Sequence, residues 1–427
     1  MLTDDHLSLV RSAYPALQWI APGAQSPEIF FDGPGGTQVP QAVIDAYRES
    51  LIHANANRHS TFRGSEWVER FIDDAAEAVA AFVGAPSARG IVFGANMTSL
   101  AFHLADALGD ALRAGDEVIV TGMDHDANIA PWVRAARRCG AALRVWPMRL
   151  PDGKLVIDDL IPLLNPKTKW VAFTAASNAI GTLTPVAEII RAVRSRTNAM
   201  VFVDSVHLSP HILPDAQGWD ADFVALSPYK FFGPHAGVLC GKEEAFARLK
   251  APKVRPSPND LPDSWMTGTQ NHEAIHAITA GIRHLAGLAE VISHKANRPS
   301  ERAARPLRTR LAASFALIRA HEEELSRRLL QGLRRIPSIR LHGVPATGPD
   351  RVSTFGLELT RHAPEKIAKQ LGEMGIRTYA GNFYALSVTE ALGLEGKGGL
   401  LRIGLVHYNT AAEVDTLLEA LGTLLKE

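Results

Sequence analysis

Between about residues 66 and 290, short apolar runs alternate with helix-like stretches, and this alternation restricts the possible folds more than any other feature of the chain. The runs are residues 90–93, 117–121, 142–147, 170–174, 200–203, 223–226 and 236–240; the helical stretches are 66–83, 98–112, 129–139 and 186–196. Short, continuously apolar runs separated by helices read as strands buried on both faces and joined by crossovers. The pattern predicts an α/β fold with a seven-stranded, mostly parallel sheet. In such sheets ligands bind beyond the carboxyl ends of the strands.

The pattern changes near residues 293–310, where Arg, Pro and Ser suggest a loop leading into a long helix over 311–335. That basic cluster reads as a solvated linker, with a nucleic-acid patch as the competing reading. Strands are expected at 339–341, 353–359, 376–379 and 400–405, and helices at 364–374 and 411–426. The expected division is therefore a large domain over 28–295 and a smaller α+β domain over 296–427, with a helix in residues 1–27 packing on the smaller one.

Composition excludes several classes. With 45 Lys+Arg against 45 Asp+Glu, no global charge draws the protein to nucleic acid or an anionic membrane. Two cysteines in 427 residues make neither a disulfide framework nor a zinc cluster, and no metal is expected. No apolar run reaches the ~20 residues of a membrane span. The polar start Met1–His6 is no secretory signal, so a cytoplasmic protein is expected.

The chemistry centres on Asp204, which closes an apolar run, and Lys230, 26 residues later in Ser227-Pro228-Tyr229-Lys230-Phe231-Phe232-Gly233-Pro234. A lone acid at a strand end commonly caps a turn, and a loop lysine is commonly on the surface. Together they supply what a pyridine aldehyde needs: an amine for a Schiff base and a carboxylate that keeps the ring nitrogen protonated. The aromatic and proline neighbours of Lys230 would desolvate it and lower its pKa, as imine chemistry requires. The pair points to pyridoxal 5'-phosphate (PLP).

Other segments fit around that cofactor. The segment 94–99 opens a helix with Asn96, and a helix N-terminus suits a phosphate, although Asn96 or Thr98 also reads as an ordinary cap. Ser227 and Tyr229 can add hydroxyls. His125, after the second run, can stack on a ring or move a proton. Asn178 can meet the cofactor's phenolic oxygen or simply form a turn before Gly181. Arg402, inside a strand, needs an anion, either a substrate carboxylate or a structural partner.

These motifs resemble the class V aminotransferase superfamily, on the cysteine desulfurase and selenocysteine lyase branch. The resemblance rests on the histidine loop 123–132, the asparagine segment 175–182, the lysine loop 227–234, the segment Gly268-Thr269-Gln270-Asn271, and Arg402 with Tyr408-Asn409-Thr410. It implies an aspartate-aminotransferase-like fold and a homodimer with shared active sites. Lys230 would be the Schiff-base lysine, Asp204 the partner of the ring nitrogen, and His125 the stacking ring. Asn178 and His207 would lie near the phenolic oxygen. Met97, Thr98, Ser227 and Tyr229 would hold the phosphate, with Gly268 and Thr269 arriving from the second subunit. Arg402 would grip the substrate carboxylate.

The chain departs from this pattern where desulfurases carry a nucleophilic cysteine: the matching loop is residues 379–385, and Tyr384 stands in the cysteine's place. Tyr379 stands where an arginine is frequent, and Tyr229 where a histidine is. Cys139 and Cys240 read as structural. The expectation is a PLP enzyme acting on an amino acid or amine, by transamination, C–S or other elimination, or epimerisation. Tyr384 and the Gly35-Gly36 pair would shape the substrate side of the site. Two other classes are a non-catalytic PLP-binding regulatory partner and a nucleotide-binding α/β enzyme; the latter needs a G-x-G-x-x-G that residues 94–99 lack.

Overall fold

The computed structural model describes residues 2–292 and 305–426. After a two-residue strand, β1 (Ile29–Phe30), come β2 (Ile91–Gly94), β3 (Glu117–Thr121), β4 (Ala142–Trp146), β5 (Thr168–Thr174), β6 (Met200–Asp204), β7 (Phe223–Leu226) and β8 (Gly237–Gly241). These last seven form one sheet in the order β2-β8-β7-β6-β5-β3-β4. All seven expected runs are therefore strands of a single sheet. Only β8 is reversed, running antiparallel to β7 and β2. Every residue of β6, β7 and β8 is buried, which is why these strands read as continuous apolar runs. β4 is an edge, and four of its five residues are exposed.

The expected helices are present as Arg63–Val83, Met97–Ala111, Ala130–Cys139 and Val186–Arg194. Two more, Gln41–His53 and His272–Ile292, pack on one another and were not distinguished by the alternation.

A second, four-stranded antiparallel sheet has the order β12-β13-β10-β9, from β9 (Ile339–His342), β10 (Thr354–Leu359), β12 (Tyr379–Gly381) and β13 (Leu400–Gly404). β11 (Ile376–Arg377) instead pairs in parallel with β1. The single strand expected over 376–379 is thus two: its first residues find the N-terminal segment as partner and Tyr379 finds β13. The segment 293–304 falls outside the described residues, and the following helix begins at Leu307, four residues earlier than expected.

The described residues form two apolar cores, one around the seven-stranded sheet and one around the four-stranded sheet. The helix Leu307–Leu333, 27 residues and ~40 Å long, joins them. Its first half puts Leu311, Phe315 and Ile318 into the large core, and its second half puts Leu325, Leu329 and Leu333 into the small one. Leu329 is fully buried, so Leu329→Ala should cost about 2–5 kcal/mol, read as a lowered midpoint in urea or thermal unfolding.

Candidate active site

Parallel pairing aligns the ends of three strands. Thr174 of β5 faces Asp204 of β6, and Asp204 faces Ala225 of β7. The chain beyond each end therefore emerges on one rim of the sheet. The β7–β8 connection crosses that rim because β8 returns antiparallel beside β7. Lys230 lies on this connection in a 3-10 turn, Pro228–Lys230.

Ten of the residues singled out in the sequence line a single cavity here: Asn96, Met97, Thr98, His125, Asn178, Asp204, His207, Ser227, Tyr229 and Lys230. Thr174, Ala127, Ala176 and Val206 complete it and carried no recognisable signal of their own. Gly35 and Gly36 line a neighbouring groove of about 940 Å³ that shares Tyr229 with the cavity and includes Tyr379. A Cβ on Gly35 would collide with the Tyr379 ring, so glycine lets that aromatic lie close against the chain. Gly268 and Thr269 are not brought to the cavity; they line clefts elsewhere on the surface.

Burial sets the electrostatics. The Lys230 amine is desolvated and lies within the field of Arg402, and its pKa falls to about 7 despite the opposing pull of Asp204. It donates to the Pro34 carbonyl. Burial pushes Asp204 up to about 6, against the hydrogen bond from the Val206 N–H (2.9 Å) and the charge of Lys230. Burial, then Lys230 and Arg402, push His125 down to about 4, so its ring is neutral. Its Nδ1 accepts from the Ala127 N–H at 3.0 Å.

Asp124, which directly precedes His125 in the chain, is fully buried and pushed up to about 8 by desolvation, with the charge of Asp204 adding to the shift. It is bonded to Thr121 Oγ1 and accepts from Asn128 Nδ2 (2.6 Å), whose own Oδ1 accepts from Trp132 Nε1 (2.9 Å).

Asn96 caps the helix Met97–Ala111 by accepting from the Ser99 N–H at 2.8 Å, so its side chain serves the helix itself. Met97 and Thr98, in the first turn of that helix, nonetheless line the cavity, and a helix N-terminus is suited to an anion. Asn178 Nδ2 donates to the Phe383 carbonyl and Arg402 Nη1 donates to the Asn178 carbonyl, each at 2.9 Å. Arg402 is buried, with its guanidinium 4.1 Å from the Phe383 ring centre and Nε without a protein partner. A buried N–H of a cation left free in this way is a vacant donor for an anion. Tyr384 is 73% exposed and lies over the His125 ring, 5.3 Å between centres, on a loop where Phe383 and Tyr384 both have left-handed φ (57° and 58°).

The residues fit PLP: a desolvated amine, a buried carboxylate, a neutral imidazole and a helix N-terminus meet in one cavity, and His207 adds a buried Nδ1 with no protein partner. Fold and site together define a PLP-dependent protein of the α/β type. The chain matches Aminotransferase class-V over residues 29–417, and it belongs to that family, whose members use PLP as cofactor in transferase and lyase chemistry. It is 32% identical over 429 residues to a probable cysteine desulfurase of Mycolicibacterium paratuberculosis, covering 98% of this chain and 58% of that protein. It is also 32% identical over 423 residues to a cysteine desulfurase of Synechococcus elongatus, covering 96% of this chain and 62% of that one. The chain thus spans about three-fifths of the length of these two relatives. The aminotransferase-like protein FGM3 of Gibberella zeae is 31% identical over 427 residues, covering 97% of this chain and 98% of that protein. A cysteine desulfurase from Thermococcus onnurineus NA1 has the same fold, with a TM-score of 0.83, 23% identity, and coverage of 100% of this chain and 98% of the other.

Among the described residues no cluster of three His, Cys, Asp or Glu is placed to hold a metal, and no helix is long and apolar enough to cross a membrane.

A lysine of pKa about 7 is half neutral at pH 7, against roughly one part in 2,500 for an ordinary lysine. The rate at which apoprotein recombines with PLP should therefore rise through pH 7 and level off above pH 8 in stopped-flow absorbance. A rate that keeps climbing towards pH 10 would show an undepressed amine.

Proposed function

We propose that this protein is a PLP-dependent lyase that cleaves a C–S bond of an α-amino acid without storing the sulfur on a cysteine. The observation that carries this reading is the composition of the rim: Lys230 and Asp204 line the cavity, Arg402 donates to the carbonyl of the lining residue Asn178, and the 379–385 loop lays Tyr384 over His125. Cys139 sits on the helix Ala130–Cys139, and its Sγ donates to the Ala135 carbonyl (3.3 Å). Cys240 is buried in β8, and burial pushes its thiol up to about 12, far from the thiolate a sulfur nucleophile needs. Neither lines the cavity.

Bound PLP would supply the electron sink for a carbanion at the substrate α-carbon. Lys230 would hold the aldehyde, Asp204 the ring nitrogen, and His125 one face of the ring. The cofactor phosphate would lie at the N-terminus of the helix Met97–Ala111 with Ser227 and Tyr229. Arg402 would bind the substrate carboxylate through its free Nε, which orients the α-hydrogen. As a neutral amine, Lys230 would accept that proton; its depressed pKa makes it a base at neutral pH. Tyr384, exposed beside His125, would lie next to a thiolate leaving towards solvent.

The second subunit belongs to the same proposal. Gly268 and Thr269 are remote from this chain's cavity but matched a segment expected to cross between subunits, and the helix Gln41–His53 exposes Ile44, Leu51 and Ile52 (41%, 49% and 61%). Both features support a homodimer with shared sites.

Two outcomes test this reading. The wild type, given S-substituted cysteines, should release thiol, ammonia and pyruvate in equal amounts, unchanged in the Cys139→Ser/Cys240→Ser double variant. Keto acid without thiol would mean transamination, and protein-bound persulfide would mean a cysteine route. Thr269→Ala should weaken PLP binding about tenfold, and mixing it with Lys230→Ala should restore one functional site per dimer.

A further inference from the structure

His207 reaches the cavity from the loop after β6, but its ring is held by elements of the other core. Nε2 lies 2.9 Å from Oγ1 of Thr354, the first residue of β10. Nδ1 is buried and has no protein partner. His211 packs edge-on against the His207 ring, with centres 5.8 Å apart and planes at 68°. His211 Nδ1 is in turn 2.7 Å from Oε2 of Glu322, on the bridging helix Leu307–Leu333, and both side chains are buried (2% and 0% exposed). The imidazole is therefore fixed in position by Thr354 at one nitrogen and braced by the Glu322–His211 pair at its face.

The groups around His207 are His211, Lys230, Arg402, His125 and Thr354. Burial and the four positive or ionisable neighbours hold its pKa well below the usual histidine range. A neutral imidazole has one N–H, and the partner of one nitrogen decides what the other offers. A threonine hydroxyl donating to Nε2 leaves the proton on Nδ1.

We propose that Thr354 is a positioning residue that acts through His207: its hydroxyl donates to Nε2, fixes the tautomer with hydrogen on Nδ1, and so presents a neutral donor to an anionic oxygen of the bound cofactor. This rests on the reading that the cavity binds PLP. It also ties the cofactor site to the second sheet, because β10 neighbours β13, which carries Arg402. The substrate-carboxylate residue and the residue that orients His207 are thus on adjacent strands.

The test uses the holoenzyme and its visible absorbance band as a function of pH. Thr354→Val keeps shape and removes the hydroxyl. Losing a donor to an anionic oxygen makes that anion harder to form. The midpoint of the band's pH titration should move up by about one unit and PLP should bind about tenfold more weakly. Thr354→Ser should restore both. Thr354→Ala, read in the same way, serves if the valine variant does not fold. A purely structural role would lower the melting temperature and leave the midpoint in place. A wild-type band with an unmoved midpoint in both Thr354→Val and Thr354→Ala overturns the proposal alone. A wild type with no band overturns the reading of the site beneath it.

Discussion

The in-register parallel pairing of β5, β6 and β7 is the constraint on which the rest of this molecule depends. It brings Thr174, Asp204 and Ala225 side by side at one rim. Because β6 and β7 are buried at every position, a shift of one residue would exchange two fully packed faces, so the register has no cheap alternative. The reversed strand β8 adds the second requirement. By returning beside β7, it forces the connection that carries Lys230 to cross the rim rather than leave it. A carboxylate and an amine 26 residues apart in sequence thereby share one cavity.

Desolvation then gives those groups their character. A charge far from water is costly unless it is paired. Lys230 at about 7 and Asp204 at about 6 are accordingly both drawn towards their neutral forms. Asp124 goes further, to about 8, and is largely protonated at neutral pH. That leaves Asp204 as the carboxylate available to a cationic ring, with an uncharged acid beside it. His125 and Arg402 divide the remaining roles in the same manner: the imidazole is neutral, whereas the guanidinium at about 9 keeps its charge. Each group's protonation state follows from its depth and its neighbours.

The second sheet contributes what the first cannot. Arg402, Thr354, Tyr379 and the Phe383–Tyr384 turn all arrive from the C-terminal part of the chain, and the helix Leu307–Leu333 holds that part against the large core. A buried guanidinium and exposed aromatic side chains on one body, facing an amine and an acid on another, make the candidate site a junction. Its geometry depends on how the two cores sit, which two buried residues in the middle of the bridging helix help to fix: Glu322, paired with His211, and His321, whose Nε2 lies 2.9 Å from the Asn409 carbonyl oxygen.

The seven strands were legible because burial on both faces leaves an uninterrupted apolar run, and burial is recorded locally. Lys230, Asp204 and His125 were legible because each follows such a run and is bounded by turn residues. Tyr379–Gly381 was not separable from Ile376–Arg377, since the break between them reflects two different strand partners and no breaking residue. Asp124 and Thr354 were not legible as site residues either. Asp124 feels the charge of Asp204, and Thr354 meets His207 across 147 positions of chain. The sequence by itself determined the seven strands of the large sheet, the residues that can carry this chemistry, and that residues 379–385 contain no cysteine. The tertiary structure decided which of those residues meet and in what charge state, because register, strand order and depth of burial are properties of long-range packing that no local pattern contains.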